Sequence, residues 1–363
     1  MVIKRVRLVN VFFIILIVSL GLIGYSYFNK PQDKPKSSVI PSPSPTTDIE
    51  VVAKNLAVPW ALAFLPDETM LMTERAGRLN KITNGGVHLL HTLEVKQIGE
   101  GGLHGIAVDP DFKTNHYIYL YYTYEQSGNL TLNRVVRFKL EQDRVSDQTV
   151  IIDKIPGAMS HDGGRLKFGP DKFLYITTGD AQQPSLSQDP NSLAGKILRF
   201  KDPSASSGQV EVYSLGHRNP QGITWDDQGR LWETEHGSQA TDEINLIEQN
   251  KNYGWPIIRG DQKQAGLESP ILQSGSQTWA PAGAAFYQGS VYFGGLKGQT
   301  LYQLKLDTLK LTEHFKGQFG RIRDVVLGPD QMLYITTSNK DGRGSPTPDD
   351  DKIIRLNPKL LSD

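Results

Sequence analysis

A histidine that precedes two glycines and an arginine, with an aspartate one strand later, is the arrangement best suited to chemistry in this sequence. His161 lies just before a short apolar strand pattern, and Asp180 ends the next one, LYITTGD. Residues outside the two ends of a hairpin can meet, and a carboxylate that accepts from one imidazole nitrogen leaves the other nitrogen free as a base. The spacing therefore predicts a His161–Asp180 pair in general-base catalysis. A lone loop histidine is also compatible with a solvated, structural role.

Three other segments place arginines and an asparagine beside strand patterns. GHRNPQG contains Arg218 and Asn219, GQFGRIRDV contains Arg321 and Arg323 in alternation, and SNKDGRG contains Arg343. The guanidinium group is planar, stays charged and matches carboxylates or an anionic oxygen. If these side chains converge, they predict a site for an anionic small molecule, although each arginine alone would also suit a turn or an exposed surface.

Paired acids follow a turn in the segment TEHGSQATDEINLI. Asp242 and Glu243 are adjacent, and the preceding turn offers the backbone carbonyls of Gly237 and Ser238. Calcium prefers hard oxygen ligands of this kind from flexible loops. The spacing is not that of an EF-hand, and paired acids commonly face solvent, so calcium binding and a solvated loop both remain open at this stage.

A repeated unit of apolar strand, turn, alternating strand and further strand must position all these residues. The copies begin about 40 to 60 residues apart, which is the period of propeller blades. Their first two strands read WALAFLPDETMLMTE, GIAVDPDFKTNHYIYLYYT, RLKFGPDKFLYITTGD, GITWDDQGRLWETEHG, GAAFYQGSVYFGGL and DVVLGPDQMLYITTSN. A sheet with two apolar faces needs neighbours, and six radial sheets supply them. The sequence predicts an all-β, six-bladed β-propeller of four-stranded antiparallel blades, with its active-site loops around the central channel.

The first residues predict export and a membrane anchor. Lys4, Arg5 and Arg7 lie in a basic region of residues 1–8, and residues 9–28 form an uncharged apolar segment of about the length that spans a bilayer. Because no A-x-A cleavage site follows, we favour an uncleaved transmembrane helix over a cleaved signal peptide. Residues 29–48 are a Pro/Ser-rich linker, and residues 49–363 form the propeller, which we expect to be extracytoplasmic, or secreted if the helix is cleaved.

The overall composition excludes some classes of function. Lys plus Arg and Asp plus Glu are balanced at 39 each, and there is no basic run, so nucleic acid is not an expected partner. The chain has no cysteine, which excludes disulfides, thiolate metal sites and cysteine nucleophiles.

Taken in order, the motifs resemble those of the soluble quinoproteins of the glucose/sorbosone dehydrogenase family, which use pyrroloquinoline quinone and calcium. The resemblance extends from about Leu56 to Leu356 and is closer to the aldose dehydrogenase branch than to the soluble glucose dehydrogenases. It is carried by the segments VPWALAF, GEGGLHGIAVDPDF, HDGGRLKFGPD, LYITTGD, GHRNPQG, DEINLI, NKNYGWP and GRIRDV.

The resemblance implies roles for the residues at the predicted active centre. His161 matches the base that takes the proton of the sugar's anomeric hydroxyl, and Asp180 matches the carboxylate that orients it. Arg218 matches the arginine beside the quinone oxygen, and Asn219 its cofactor-binding neighbour. The glycines after His161 are then expected to let the chain pass close to a flat cofactor.

The resemblance also implies metal and carboxylate contacts. The carbonyls of Gly237 and Ser238 match those that hold the catalytic calcium, and Glu243 with Tyr253 resembles a second calcium site of the aldose branch. The arginines expected to face the cofactor's carboxylates are Arg321, Arg323 and Arg343.

Two positions depart from the family pattern. Glu100 stands where the glucose enzymes have a glutamine that touches cofactor and sugar, and its carboxylate would repel an anionic quinone unless it is protonated or turned away. Ser160 occupies the position of an aspartate that contacts the sugar in the glucose enzyme. These departures bear on substrate preference and on cofactor binding.

The resemblance implies that the protein oxidises the anomeric hydroxyl of an aldose sugar, its substrate, to a lactone. The sequence does not identify the electron acceptor. We expect the protein to be a monomer or a homodimer. Two alternatives remain. One is a catalytically silent propeller that binds glycans or a protein partner, because a fold does not fix a function. The other is a calcium-dependent lactonase-type hydrolase, which would have no need of Arg218 together with Arg321 and Arg323.

Overall fold

The protein folds into six four-stranded antiparallel sheets, as described by a computed structural model for residues 47–84, 86–127, 130–201 and 209–361. Successive sheets touch around a ring through their inner strands, and the last blade touches the first. This confirms the predicted all-β propeller. The predicted basic region, membrane helix and nearly all of the linker, residues 1–46, lie outside the described residues. Within the described residues, no helix is both long enough and apolar enough to cross a bilayer.

The strands follow the chain from one blade to the next. Blade 1 comprises β2 Pro59–Phe64, β3 Met70–Glu74, β4 Arg78–Thr83 and β5 Gly86–Thr92. Blade 2 comprises β6 Leu103–Val108, β7 Tyr117–Glu125, β8 Thr131–Glu141 and β9 Arg144–Pro156. Blade 3 comprises β10 Leu166–Phe168, β11 Leu174–Thr178, β12 Lys196–Lys201 and β13 Gln209–Leu215. Blade 4 comprises β14 Pro220–Trp225, β15 Leu231–Glu235, β16 Glu243–Ile247 and β17 Leu272–Gln273. Blade 5 comprises β18 Pro281–Tyr287, β19 Ser290–Gly295, β20 Thr300–Lys305 and β21 Lys310–His314. Blade 6 comprises β22 Ile322–Leu327, β23 Leu333–Thr337 and β24 Ile353–Leu356, and is completed by β1 Ile49–Ala53. A short helix, α1 Phe112–Asn115, and two 3₁₀ turns, Pro184–Ser187 and Pro358–Leu361, complete the described elements.

The two ends of the folded domain meet in blade 6. Strand β1 pairs antiparallel with β24, with Ile49 opposite Leu356 and Val51 opposite Ile354. The outer strand of the last blade therefore comes from the beginning of the domain. This pairing closes the ring, and the repeat pattern alone did not predict it.

Apolar side chains from facing sheets form the core between blades. Leu71 and Leu79 of blade 1 pack in one cluster with Leu103, Ile118 and Val136 of blade 2, all of them almost inaccessible to solvent. Similar clusters lie between the other blades. Burial of both faces of each sheet explains why the strands carry apolar residues on both sides.

The order of strands within a blade determines where the polar residues collect. In an antiparallel four-stranded blade, the turn from strand two to strand three and the link from strand four to the next blade lie at the same end. We name this the site end of the propeller. Its links contain residues 157–165 between β9 and β10 and residues 216–219 between β13 and β14. Its turns include residues 179–195 between β11 and β12 and residues 236–242 between β15 and β16. Every residue predicted for the site lies on such a connection or at the adjoining end of a strand, except Tyr253, which lies in the connection from β16 to β17.

Candidate active site

His161 and Asp180 meet at the site end, as the sequence predicted. The Nδ1 atom of His161 lies 2.7 Å from Oδ1 of Asp180, whose carboxylate is buried while the imidazole keeps 19% of its surface exposed. His161 also adopts a left-handed backbone conformation with φ of 65°. That conformation costs an ordinary residue roughly 1–2 kcal/mol, and strain of this kind is common at functional sites.

Arg218 occupies the other side of the imidazole. Its Nη2 lies 3.0 Å from Nε2 of His161, and its Nη1 donates to the carbonyl of His236 at 3.1 Å. A guanidinium has only donors. Nε2 of His161 must therefore accept, and the ring proton resides on Nδ1, where it is donated to Asp180. The neighbours thus fix His161 as a neutral imidazole with its basic nitrogen at Nε2.

Asn219 follows Arg218 and is fully buried. Its Oδ1 accepts a hydrogen bond from the backbone N–H of Gly163 at 3.1 Å, whereas its Nδ2 is buried without a partner. Buried amide donors are almost always satisfied in folded proteins. The free amide is therefore a candidate contact for a bound molecule.

A layer of polar and aromatic side chains lies at the site-end starts of the innermost strands. Trp60 stacks on His104 with ring centroids 4.9 Å apart, and the guanidinium of Arg165 lies 4.4 Å from the Trp60 ring. Arg323 donates to Oε1 of Gln221 at 2.7 Å. These side chains form the floor of the candidate site.

Gly283 of the fifth inner strand supplies no side chain to this floor, for a steric reason. A Cβ there would collide with the Asp324 carboxylate and lie 2.9 Å from Nη2 of Arg165. The Arg165–Asp324 ion pair, with Nη1 and Oδ1 3.0 Å apart, occupies the space instead.

Arg321, just before β22, and Arg323, within β22, differ in how free their guanidinium groups are to bind an anion. Arg321 donates to Asp341 through Nε at 3.0 Å and Nη2 at 2.8 Å, and to the carbonyl of Leu296 through Nη1 at 3.2 Å. Arg323 lies 3.9 Å from the same carboxylate but keeps a buried Nε with no partner. Burial lowers the pKa of Arg323 to about 10, so it remains charged at neutral pH. Arg323 is therefore the better anion ligand of the two.

Glu100, the glutamate that departs from the family pattern, forms an ion pair with Arg343. This pair bears on whether its carboxylate would repel an anionic quinone. Arg343 Nη1 donates to Oε1 at 2.6 Å, and Oε2 accepts the backbone N–H of His161 at 3.1 Å. Burial favours the neutral acid, but the charges of His236 and Arg343 outweigh it and lower the pKa of Glu100 to about 2. Glu100 is thus ionised, with its charge balanced by Arg343. Ser160 lies half-buried in the neighbouring loop.

The second glycine after His161 is required by close packing within the protein. Gly164 has φ of 101°, and a Cβ on it would lie 2.6 Å from Nδ1 of His104. The close approach is therefore to a side chain of the floor and to the neighbouring backbone, where Gly105 N–H donates to the Gly164 carbonyl at 3.0 Å. Packing alone therefore requires glycine at position 164, and the approach of a flat cofactor to these glycines stays a prediction.

Asp242 shapes the turn that carries Gly237 and Ser238. One carboxylate oxygen accepts the Gly237 N–H at 2.8 Å, and the other accepts the N–H groups of Trp279 at 2.6 Å and Ala280 at 2.9 Å. Asp242 is therefore fully used in holding the loop. Within the described ranges, the carbonyl oxygens of Gly237 and Ser238 accept no hydrogen bond.

Glu243 pairs with a second glutamate that the sequence analysis did not single out. Glu235 stands directly opposite it in the β15–β16 ladder, and both line a small cavity with Gly237 and Tyr253. Burial raises the pKa of Glu235 to about 8, and burial together with the charge of Glu235 raises the pKa of Glu243 to about 8. Two buried carboxyl groups that resist ionisation would be stabilised as anions by a divalent cation.

Tyr253 contributes its ring rather than a free hydroxyl. The hydroxyl donates to the carbonyl of Leu246 at 2.6 Å and accepts the N–H of Glu248 at 2.9 Å. The ring stacks on buried His217 with centroids 4.9 Å apart. Its phenolic oxygen is therefore committed to the backbone of its own blade.

Besides Glu235, sequence reasoning missed other residues that the fold brings to this site, among them Arg75, His104, His236 and Trp255. Arg75 Nε, His104 Nδ1 and His236 Nε2 are buried without partners. Arg75 and His236 follow the second strands of their blades, as Asp180 does in blade 3, and His104 begins an innermost strand. Alignment of the blade repeats would have shown that these positions face the same end.

Comparison with known proteins identifies the family of the chain. The family model for glucose/sorbosone dehydrogenase matches residues 56–355. The chain belongs to the glucose/sorbosone dehydrogenase family. The expected family is thus confirmed, and with it the assignment of the chain to the dehydrogenases.

Two of the similar proteins cover nearly all of the propeller, and a third covers part of it. The aldose sugar dehydrogenase YliI of Escherichia coli is 32% identical over 84% of this chain and 94% of its own length. The structure of the aldose sugar dehydrogenase of Streptomyces coelicolor, in its pyrroloquinoline quinone-bound form, is 35% identical with a TM-score of 0.78, over 85% of this chain and 97% of that one. Quinoprotein glucose dehydrogenase B of Acinetobacter calcoaceticus is 32% identical over 60% of this chain and 54% of its own.

Proposed function

We propose that this protein oxidises the anomeric hydroxyl of aldose sugars to lactones, with pyrroloquinoline quinone as hydride acceptor and calcium as its metal. The observation that carries the proposal is the neutral His161, with Asp180 on Nδ1 and Arg218 on Nε2. Such an imidazole has its lone pair on one defined nitrogen, which would act as the base once the sugar hydroxyl takes the place of the Arg218 N–H. A relative of 35% identity binds this quinone, which supports the choice of cofactor.

The buried donors of the site suit an anionic cofactor with several carboxylates. Unpartnered donor atoms remain on Arg75, Arg218, Arg323 and Asn219. Buried N–H groups without partners are costly, and a carboxylate or quinone oxygen would satisfy them. These four residues would hold the cofactor, whereas Arg321 and Arg343 already bind Asp341 and Glu100.

Calcium fits two adjacent positions. The unbonded carbonyls of Gly237 and Ser238, fixed by Asp242, offer hard oxygens next to the cofactor residues. The Glu235–Glu243 pair offers two carboxylates of raised pKa that a second calcium would neutralise. When bound, the quinone accepts hydride and calcium polarises its carbonyl.

The residues of the chain then account for the proton and the developing charge. His161 Nε2 takes the proton of the anomeric hydroxyl, and Asp180 stabilises the imidazolium that results. The hydride leaves the anomeric carbon, so the sugar loses two electrons and becomes a lactone. The fixed charge of Arg218 stabilises negative charge that develops beside it, an effect worth several kcal/mol at sites of this kind.

The test is a cofactor-dependent activity assay on the protein beginning near residue 47. Purified protein is mixed with pyrroloquinoline quinone and calcium, and reduction of an artificial dye is followed against a panel of aldoses. We expect sugar-dependent reduction that EDTA abolishes. His161→Ala should lower kcat by about 10²–10⁴-fold, the usual contribution of a general base, while calorimetry still detects cofactor binding.

Other outcomes would identify the alternative functions. A folded protein that binds no quinone would contradict the dehydrogenase proposal and leave a propeller that binds glycans or a protein. Lactone hydrolysis that needs calcium but no quinone would instead identify a hydrolase.

The apolar segment of residues 9–28 supports a proposal on location. With Lys4, Arg5 and Arg7 before it, this segment would hold the propeller outside the cytoplasmic membrane as an anchor, or direct its secretion if cleaved. Fractionation of cells expressing the full chain, with and without residues 1–28, tests this. Recovery of the full chain in the cytoplasm would contradict it.

A further inference from the structure

We propose that Trp255 is a positioning residue that sets the orientation and basicity of His161 through Asp180 and Arg218. This inference rests on the proposed function of His161 as a base. Trp255 lies in the loop between β16 and β17, away from His161 in sequence, and it is buried.

The indole N–H of Trp255 donates a hydrogen bond to the second carboxylate oxygen of Asp180. Its Nε1 donates to Oδ2 at 2.9 Å, while Oδ1 of the same carboxylate receives His161 Nδ1 at 2.7 Å. Gln182 N–H also donates to Oδ1, at 2.9 Å. A carboxylate bonded through both oxygens cannot rotate about its Cβ–Cγ bond without losing a bond. The Trp255 contact therefore fixes the plane of the carboxylate on which the imidazole is aligned.

The same ring packs against the other partner of His161. The guanidinium carbon of Arg218 lies 5.3 Å from the centroid of the Trp255 ring, and that of Arg259 lies 5.0 Å from it. Cation–π contacts of this length are favourable, more so where water is excluded. Four residues thus form a closed cycle: His161, Asp180, Trp255 and Arg218.

The backbone of Trp255 is itself held in place. Its N–H donates to the carbonyl of Gly216 at 2.9 Å, and its carbonyl accepts Nε2 of Gln188 at 2.7 Å. These bonds tie the loop to blade 3 and to the link that carries Arg218. Trp255 therefore acts as a fixed support for the two groups on opposite sides of the imidazole.

Removal of the indole N–H has a definite expected direction. A hydrogen bond to a carboxylate stabilises its charge and lowers its basicity. Without it, Asp180 attracts the imidazolium more strongly, and His161 becomes easier to protonate. The other charged or titratable groups near His161 include Arg218, Glu100, which bonds to its backbone, the neighbouring Asp162, and His236, whose carbonyl accepts from Arg218. None of these bonds to the indole N–H, so the change isolates Asp180.

The experiment compares Trp255→Phe with the wild-type protein by two readouts. In the apo protein, ¹⁵N NMR of labelled histidines, with His161→Ala to assign the signal, should show the titration of His161 moved upward by about half to one pH unit. With cofactor and sugar, kcat should fall about tenfold, its acid limb should move upward equally, and KM should stay within about twofold.

Trp232→Phe is the matched control. Trp232 is a buried tryptophan whose Nε1 donates to Oδ2 of Asp226 at 2.9 Å, and neither residue contacts His161. The control removes the same kind of hydrogen bond in the same blade. We expect it to leave the His161 titration and the acid limb unchanged.

An unchanged His161 titration in Trp255→Phe, or an equal shift in Trp232→Phe, would overturn the proposal. If Trp255→Phe does not fold, a benzothienyl-alanine at position 255 keeps the shape of the ring without its N–H and decides the same question. The NMR readout needs no cofactor. An inactive wild-type enzyme would therefore count against the proposed function, while the shift in titration would still decide the role of Trp255.

Discussion

His161 is placed between one group that can only accept and one that can only donate. Asp180 takes the proton of Nδ1, and the guanidinium of Arg218 faces Nε2, so the imidazole has one tautomer available. At the scale of single residues, the tautomer of the base is therefore set before any sugar arrives.

Glu100→Gln tests how charge is balanced at the same scale. The ionised Glu100 offsets Arg343, and the amide removes that offset while it can still accept from the His161 N–H. We expect the quinone, an anion, to bind about fivefold more tightly, equivalent to about 1 kcal/mol for a partly exposed charge. Calorimetry at two salt concentrations measures the change, which should shrink at high salt.

Glu50→Gln provides the control for that substitution. Glu50 pairs with Arg355 at 3.4 Å on an exposed surface of blade 6. Its removal should not change the affinity for the quinone. Equal or weaker binding in Glu100→Gln would refute the balance of charge inferred here.

At the scale of elements, the link between β9 and β10 contains the strained backbone of the base, His161, and a buried carboxyl group next to it. Asp162 follows His161, and its Oδ1 accepts from Nδ2 of Asn133 at 3.0 Å and from the N–H of Ala158 at 3.1 Å. Its Oδ2 is buried without a partner. Burial, opposed by those two bonds, raises the pKa of Asp162 to about 6.

Asp162→Asn should reveal this raised pKa as a dependence of stability on pH. The neutral acid is preferred in the folded state, so its contribution is complete below the unfolded pKa of about 3.8 and is lost as the pH rises through about 6. Asparagine is neutral throughout. Relative to wild type, the free energy of unfolding of the variant should therefore increase by about 2 kcal/mol between pH 4 and pH 7.

Urea denaturation at several pH values measures that difference. Asp67→Asn, at an exposed turn, serves as control and should give a curve parallel to wild type. If the free energy of unfolding of Asp162→Asn also ran parallel to that of wild type against pH, burial would not destabilise the ionised form of Asp162.

At the scale of the whole molecule, the ring depends on a strand from the other end of the domain. Deletion of residues 47–53 removes β1, including Ala53, and exposes the edge of β24 together with Leu56 and Met72, which pack in the same cluster as Ala53. The lost pairing and burial amount to about 3–5 kcal/mol. We expect the melting temperature to fall by about 10 °C, since about 1 kcal/mol corresponds to 2–4 °C in large domains.

Calorimetry of this deletion is compared with a chain that begins at residue 47 and keeps β1. The chain that keeps β1 should melt in a single transition. If the shorter chain melts at the same temperature, β1 is not needed for closure of the ring.

The sequence by itself determined the six blades, the family, and the pairing of His161 with Asp180. These features depend on local alternation and on motifs, which a single chain displays directly. It also identified Arg218, Asn219 and Arg323, because each lies in a motif next to a strand.

The tertiary structure decided what depends on contacts between distant segments. Trp255 reaches Asp180 across 75 positions, Arg343 neutralises Glu100 across 243, and β1 joins β24. Glu235 meets Glu243 only because the β15–β16 register sets them opposite each other. No local pattern encodes such distances, since loop lengths and blade order bring these side chains together. The charge of Glu100, the role of Asp242 and the purpose of Gly164 therefore became clear only from their partners.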